Sequence, residues 1–250
     1  MATASSPVPT LAGGLGDFFT GLSLPWRSLS ILFRSRKVCF LSLLSSLLTA
    51  AALIAIWIAA WKISAGWFGE GALREVAHFL ATLLMWIPLS LIVPSLVLAP
   101  LQDPISEATE EHCGNFTAPP FSIARTVKSA AFSIAHTASR LFIFATGYIV
   151  LLPLHIVPGI GSVTYAVLST TWGCWWLCAE YVSGPMARHL MPFRAVRAAL
   201  RRRSMATLGF GLALYLMLFV PVLNFFLVPL AVVGGTLLFR ALRIEGLPTP

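Results

Sequence analysis

Between Ala206 and Phe239 the chain runs for 34 residues without a charged side chain, broken near its middle by Pro221, Asn224 and Pro229. As one straight helix this run would be ~50 Å long at ~1.5 Å per residue, against a hydrocarbon core only ~30 Å thick. Two complete spans need ~40 residues and a turn. The stretch is too long for one crossing and too short for two. Its length therefore predicts a bent pair of helices that enters a membrane and returns, with the proline-asparagine segment at the tip.

Composition agrees with a membrane setting: 58% of the residues are hydrophobic and 10% charged, with a mean hydropathy of +0.86. A charge-rich soluble domain does not look like this. The formal net charge of +8 sits in short linkers beside apolar runs, where Lys and Arg set topology, so no nucleic-acid partner is expected. Three of the four cysteines, Cys39, Cys174 and Cys178, lie in apolar runs while Cys113 does not, so no disulfide framework is expected. The first 26 residues show no basic segment followed by an apolar one and a cleavage site, so no cleavable signal peptide is expected.

Residues 1–14, rich in Ala, Ser, Thr, Pro and Gly, read as a disordered N-terminus, residues 15–245 as one helical membrane domain, and 246–250 as a tail. From Asp17 onward Phe18, Phe19, Leu22, Trp26, Leu29 and Phe33 recur at helical spacing, which predicts an amphipathic interfacial helix bent at Pro25. Residues 38–61 form an uncharged transmembrane helix flanked by Arg36, Lys37 and Lys62. A second span, about 76–101, contains Pro88 and Pro94 and should be kinked and buried in protein.

Asp103 followed by Pro104 reads as the start of a new helix, with Glu107 and Glu110 on one side of it. Glu110, Glu111, His112 and Cys113 could be taken for metal ligands. We read them as a solvated helix end, because adjacent helical residues point in different directions. The glycosylation sequon Asn115-Phe116-Thr117 falls on the cytoplasmic side of the topology below and is treated as chance.

Residues 141–182 repeat the opening problem, broken by Pro153, His155, Pro158, Gly159 and Gly161. The first arm, Leu141 to Leu152, would be only ~18 Å long and cannot cross. His155 at the break reads as a histidine at a wet turn. The segment from Gly184 to Arg203 then carries Arg188, Arg194, Arg197, Arg201, Arg202 and Arg203 without an acid, with Phe193, Val196 and Leu200 on another face. That is the pattern of a basic interfacial helix. Placing the Lys- and Arg-rich segments in the cytoplasm requires one crossing out, one back, and two excursions that return to their starting side. Charge does not distinguish full hairpins from partial ones, but the short arms favour partial penetration, with tips shielded by protein or beside water.

The residues around these breaks resemble the CysZ sulfate-uptake family, within the wider etoposide-induced membrane protein superfamily. Pro158-Gly159-Ile160-Gly161 is similar to the family's turn, Pro192-Phe193 to its dipeptide before the basic helix, and Arg197, Ala199, Leu200, Arg201 and Arg203 to its arginine pattern. Phe210, Gly211, Pro221, Asn224, Pro229, Ala231, Val232, Gly234 and Thr236 follow at matching spacing, and Ala99, Pro100, Glu107 and Glu110 match earlier in the chain.

The resemblance implies an all-α integral membrane protein with two transmembrane helices, two hemi-penetrating (re-entrant) helical hairpins at about 141–182 and 206–239, and amphipathic interfacial helices. It also implies a homo-oligomer in a bacterial inner membrane, both termini cytoplasmic, moving sulfate or a similar small anion for cysteine synthesis without ATP hydrolysis. The family's anion site lies in a Gly-x-Arg-Arg setting before the first span. Here Arg36 and Lys37 match the paired bases, with Arg34 beside them, while the family's preceding proline and glycine are absent. Basic groups and free amides at a helix start suit an anion. Glu107 and Glu110 are expected to hold the cytoplasmic loop to the basic helix carrying Arg197, Arg201 and Arg203. The competing class is a membrane-organising scaffold that transports nothing. No nucleotide loop, metal-spaced cluster or nucleophile-base pair is found in the sequence, so neither enzyme activity nor a cofactor is expected.

Overall fold

A computed structural model describes residues 8–67, 73–114, 139–157 and 159–244, with side chains described at all of these except 87–88, 90–101, 221–225 and 244. The described secondary structure is helical throughout. The order is α1 (Gly14–Arg34), α2 (Arg36–Ser64), α3 (Arg74–His112), α4 (residues 139–151) continued by a 3-10 turn (Leu152–Ile156), α5 (Ile160–Arg188), α6 (Phe193–Arg202), α7 (Ser204–Leu218) and α8 (Pro221–Ile244). Among the described residues three segments are long and apolar enough to cross a membrane: Arg36–Ser64, Ser139–Ile156 and Phe226–Arg243.

The uncharged stretch is two helices of unequal length. The break falls at Phe219 and Val220, and Pro221 occupies the first helical position of α8, where its missing N–H costs nothing. Asn224 and Pro229 belong to α8 rather than to a tip loop, and Pro229 is buried within the helix. The expectation that 221–229 forms the turn is therefore corrected: a proline removes one ladder bond, and packing on neighbouring helices carries α8 through it. With 15 residues α7 is ~22 Å long, short of a crossing, whereas the 24 residues of α8 reach ~36 Å.

The lower part of α8 is the centre of the molecule. It packs against α1, α2, α3, α5 and α7, and 78% of its Phe226–Arg243 window is buried. Leu230, Ala231, Val233, Leu237, Leu238 and Phe239 form one cluster with Leu24, Phe210, Leu214, Val182 and Met186.

Helix α1 turns its bulky apolar stripe outward, as an interfacial helix would, and packs its other face on protein. Its inward face is Asp17, Gly21, Leu24, Ser28 and Ile31, packed mainly on α7, while Phe19, Trp26 and Phe33 are exposed. In lipid there is no gain from hiding large apolar side chains, so small residues take the helix contact and bulky ones face outward. Pro25 is buried inside a helix that continues to Arg34.

Two boundaries also differ from the sequence reading. Helix α3 runs unbroken for 39 residues through Asp103 and Pro104, because Ile105, Ser106, Ala108, Thr109 and Glu110 are buried and fix its continuation. The first arm of the earlier broken stretch extends through the 3-10 turn to Ile156, giving 18 helical residues where Leu141–Leu152 alone falls short.

Glycines set the closest helix approaches. A Cβ on Gly209 would overlap the carbonyl of Phe18, one on Gly21 the carbonyl of Ala206, and one on Gly211 the carbonyl of Cys174. Gly184, also helical, has nothing within 4 Å of such an atom. Gly211→Ala is therefore expected to lower stability by about 1–3 kcal/mol through overpacking, while Gly184→Ala is neutral or stabilising by up to about 1 kcal/mol through helix propensity. Thermal unfolding of both variants in detergent checks the contrast; equal midpoints would refute it.

Candidate functional site

The junction between α1 and α2 gathers three bases at a helix start. Arg34 ends α1, Ser35 is extended (φ −102°, ψ 111°), and Arg36 begins α2. The Ser35 hydroxyl accepts the Val38 N–H at 3.4 Å, capping the helix. The amides of Arg36 and Lys37 lie in the first turn and have no intrahelical acceptor. Arg34, Arg36 and Lys37 are exposed, so cationic side chains and free amides share one end. Lys37 is already engaged, its Nζ lying 2.7 Å from Oε2 of Glu111 at the C-terminal end of α3.

One turn of packing away, the same end of α3 enters a buried polar cluster. Glu110 is 2% exposed; its Oε2 lies 3.0 Å from His189 Nε2, and its Oε1 lies 3.7 Å from Arg188 Nη2. Arg188 Nη2 donates to Ser106 Oγ at 2.5 Å, and Ser106 Oγ pairs with Thr236 Oγ1 at 2.8 Å. Since the Thr236 hydroxyl donates to the Val232 carbonyl at 2.7 Å, the proton order runs from Arg188 through Ser106 and Thr236 into α8. Arg240 Nη1 closes the cluster by donating to the carbonyls of Glu110 at 3.0 Å and Gly114 at 2.6 Å. A carboxylate this deep needs such company, because an unpaired buried charge is strongly destabilising.

Nearby titrations follow from the same burial. Asp103 keeps solvent exposure, yet the protein around it desolvates the carboxyl and raises its pKa, with the Arg188 charge pulling the other way. Desolvation also raises the Cys113 thiol, opposed by Arg240 and assisted by Glu110. Glu110 turns to α5 and Glu111 to α2, so the Glu110–Cys113 run does not converge on one point.

The acidic side of α3 thus holds partners other than those expected. Glu110 is bound by Arg188 and His189 at the end of α5, not by the basic helix α6, and Glu107 is half-buried on the same helix. The reason is geometric: α6 turns its buried face, Phe193, Val196, Ala199 and Leu200, into the protein and leaves Arg194, Arg201 and Arg202 exposed. Arg197 is partly buried, its Nε without a hydrogen-bond partner among the described residues. Arg203 donates to Asp17 Oδ2 at 3.0 Å, and the other Asp17 oxygen accepts the Gly13 N–H at 2.7 Å. This ties the start of α1 to the junction of α6 and α7.

At the first break Pro153 and His155 lie in the 3-10 turn, where the His155 ring packs on Tyr165 with centroids 4.0 Å apart. Gly159 has φ +76° and caps α5; a Cβ on Gly161 would overlap the Leu154 carbonyl. Pro158 and the 115–117 sequon lie outside the described residues, as do the side chains of Pro221 and Asn224.

Sequence reasoning missed Arg188, His189 and Arg240 as partners of Glu110, and Ser106 and Thr236 as the hydroxyls that Arg188 reaches. Their separations, up to 130 residues, leave no local pattern to read. The one available signal was the acid cluster at Glu107, Glu110 and Glu111, which calls for cations without naming them.

The family model described as Sulfate transporter CysZ/Etoposide-induced protein 2.4 matches residues 24–229. Among curated relatives, the "Sulfate transporter CysZ" proteins of Salmonella paratyphi A, Salmonella enteritidis and Salmonella typhi are each 32% identical over 159 residues, 64% of this chain. The matched part spans 59% of the length of each of those relatives. The family is one of transporters rather than enzymes. With its apolar helices and a family match over most of its length, this membrane protein belongs to the Sulfate transporter CysZ/Etoposide-induced protein 2.4 family.

Proposed function

We propose that the chain is a channel-like permease for sulfate or a related oxyanion, supplying sulfur assimilation across a bacterial inner membrane. The observation that carries this reading is the capped start of α2, where Arg34, Arg36 and Lys37 stand exposed beside free first-turn amides at the mouth of a candidate span. Such an end attracts an anion through both charge and hydrogen bonds. The sulfate transport named for the relatives points to the same ligand chemistry. Neither Arg36 nor Lys37 is buried, so an anion can reach them without unfolding anything.

In this reading both termini are cytoplasmic, and the bases of α2 and α6 face that side. The two broken stretches are hairpins that return to their starting side, with tips at Pro153–Gly161 and at Phe219–Val220. Partial penetration belongs to the second, because Ser139–Ile156 in the first is long enough to cross. The 15-residue α7 supports partial penetration, since it is too short to cross. The exposed Phe219 and Val220 are then covered by other copies in a homo-oligomer, because an open backbone turn is not tolerated against lipid.

Purified protein in liposomes should pass labelled sulfate above empty vesicles. The double variant Arg36→Ala with Lys37→Ala should lose at least about tenfold of that flux while keeping its wild-type melting behaviour, as expected for losing two charge-assisted contacts. No flux from wild type in either orientation would refute transport and favour a scaffold. Full flux in the double variant would remove these residues from the path.

The hairpin has a separate check. A Val220→Cys probe, with Cys39 and Cys113 replaced by serine, should resist membrane-impermeant thiol reagents added from the outer face. Complete labelling from that face would show that α7 and α8 together cross the bilayer.

A further inference from the structure

An acid stands against the candidate anion site, bonded to one of its bases. Glu111 follows directly after Glu110, whose side chain is anchored to α5 and whose carbonyl is held by Arg240, so the end of α3 cannot drift from its place. From that fixed position the Glu111 carboxylate reaches Lys37 Nζ at 2.7 Å, a charge-assisted hydrogen bond. An oxyanion bound by the start of α2 wants the same ammonium. A carboxylate presents oxygens to a lysine much as sulfate does, and Lys37 has lost part of its donor capacity to it.

We propose that Glu111 is an internal counter-ligand of the anion site, displaced from Lys37 when an oxyanion binds and returning to Lys37 as the anion leaves. The inference rests on the assignment of Arg36 and Lys37 to anion binding. Its logic is that of conduction: a site must attract an ion enough to admit it and hold it weakly enough to release it. A tethered carboxylate accomplishes the second task without a moving domain. The exposure of the pair, 60% for Lys37 and 34% for Glu111, keeps the exchange mild and fast. Screened surface pairs of this kind shift an equilibrium only by about two- to fivefold. Exchange at Lys37 would also loosen one contact between α2 and α3 without touching the buried Glu110 cluster.

The test uses full-length Glu111→Gln protein, with Glu75→Gln as a control. Glu75 is an exposed acid in the first turn of α3, roughly 50 Å from Glu111 along the helix at ~1.5 Å per residue, so it changes net charge equally without touching the site. Labelled sulfate is measured for binding in detergent and for flux in liposomes. Glu111→Gln should tighten sulfate binding by about two- to fivefold and lower the maximal flux by a similar factor, whereas Glu75→Gln matches wild type. Glu111→Gln behaving like Glu75→Gln, while Arg36→Ala with Lys37→Ala loses binding, would overturn the counter-ligand and leave the site intact. Weaker sulfate binding in Glu111→Gln would also overturn it, since Glu111 would then be holding Lys37 in position for the anion. Unchanged binding in the Arg36/Lys37 double variant would remove the site itself and the inference with it.

Discussion

The arrangement depends on helices being able to touch backbone to backbone. Gly209 lets α7 settle against Phe18 of α1, Gly21 admits Ala206 in return, and Gly211 brings the opposite side of α7 onto Cys174 of α5. On α8, Gly235 does the same against Tyr181 and Gly234 makes room for the Phe210 ring. These contacts matter more here than in a soluble bundle, because lipid chains already solvate leucine and phenylalanine well. What favours association is close packing and lipid release, and both improve as the axes approach. The short α7 is held between α1 and α5 by this means, and α8 fills the remaining centre.

That packing decides where charge can go. With apolar surface outside and small residues between helices, buried polar groups collect at one end of α3. Glu110 meets Arg188 and His189 there by way of α5, while Asp17 at the start of α1 meets Arg203 at the junction of α6 and α7. Each pair joins elements far apart in sequence, so each fixes a register as well as neutralising a charge. The exposed bases at the start of α2 stand on this frame: Lys37 is held to α3 by Glu111, one residue from the buried Glu110. The candidate anion site is thus carried by a rigid neighbour while remaining open to solvent.

Several sequence inferences translate directly into the structure. The basic helix has the expected buried face of Phe193, Val196 and Leu200, the bend at Pro153 and His155 is a 3-10 turn, and the uncharged stretch does divide into two helices. Others fail for identifiable reasons. Pro229 reads as a breaker, but a helix packed on five neighbours tolerates one missing hydrogen bond. Asp103 and Pro104 read as a helix start, but burial of the next turns extends α3 across them. Phe19, Trp26 and Phe33 read as the apolar stripe of an interfacial helix and are exposed, but the pattern gave no hint that the other face of α1 packs on α7.

By itself the sequence determined the membrane setting, the helical class, the positions of most breaks and the concentration of bases at α2 and α6. Those follow from local quantities: run length against bilayer thickness, charge count, and the backbone limits of proline and glycine. Tertiary structure alone decided which face of α1 turns inward, that α8 rather than α2 forms the centre, and that Glu110 belongs to Arg188 and His189 while Glu111 belongs to Lys37. A buried acid demands a partner, but the demand carries no address. The address comes from the glycine-mediated approach of helices distant in the chain, which local pattern does not encode.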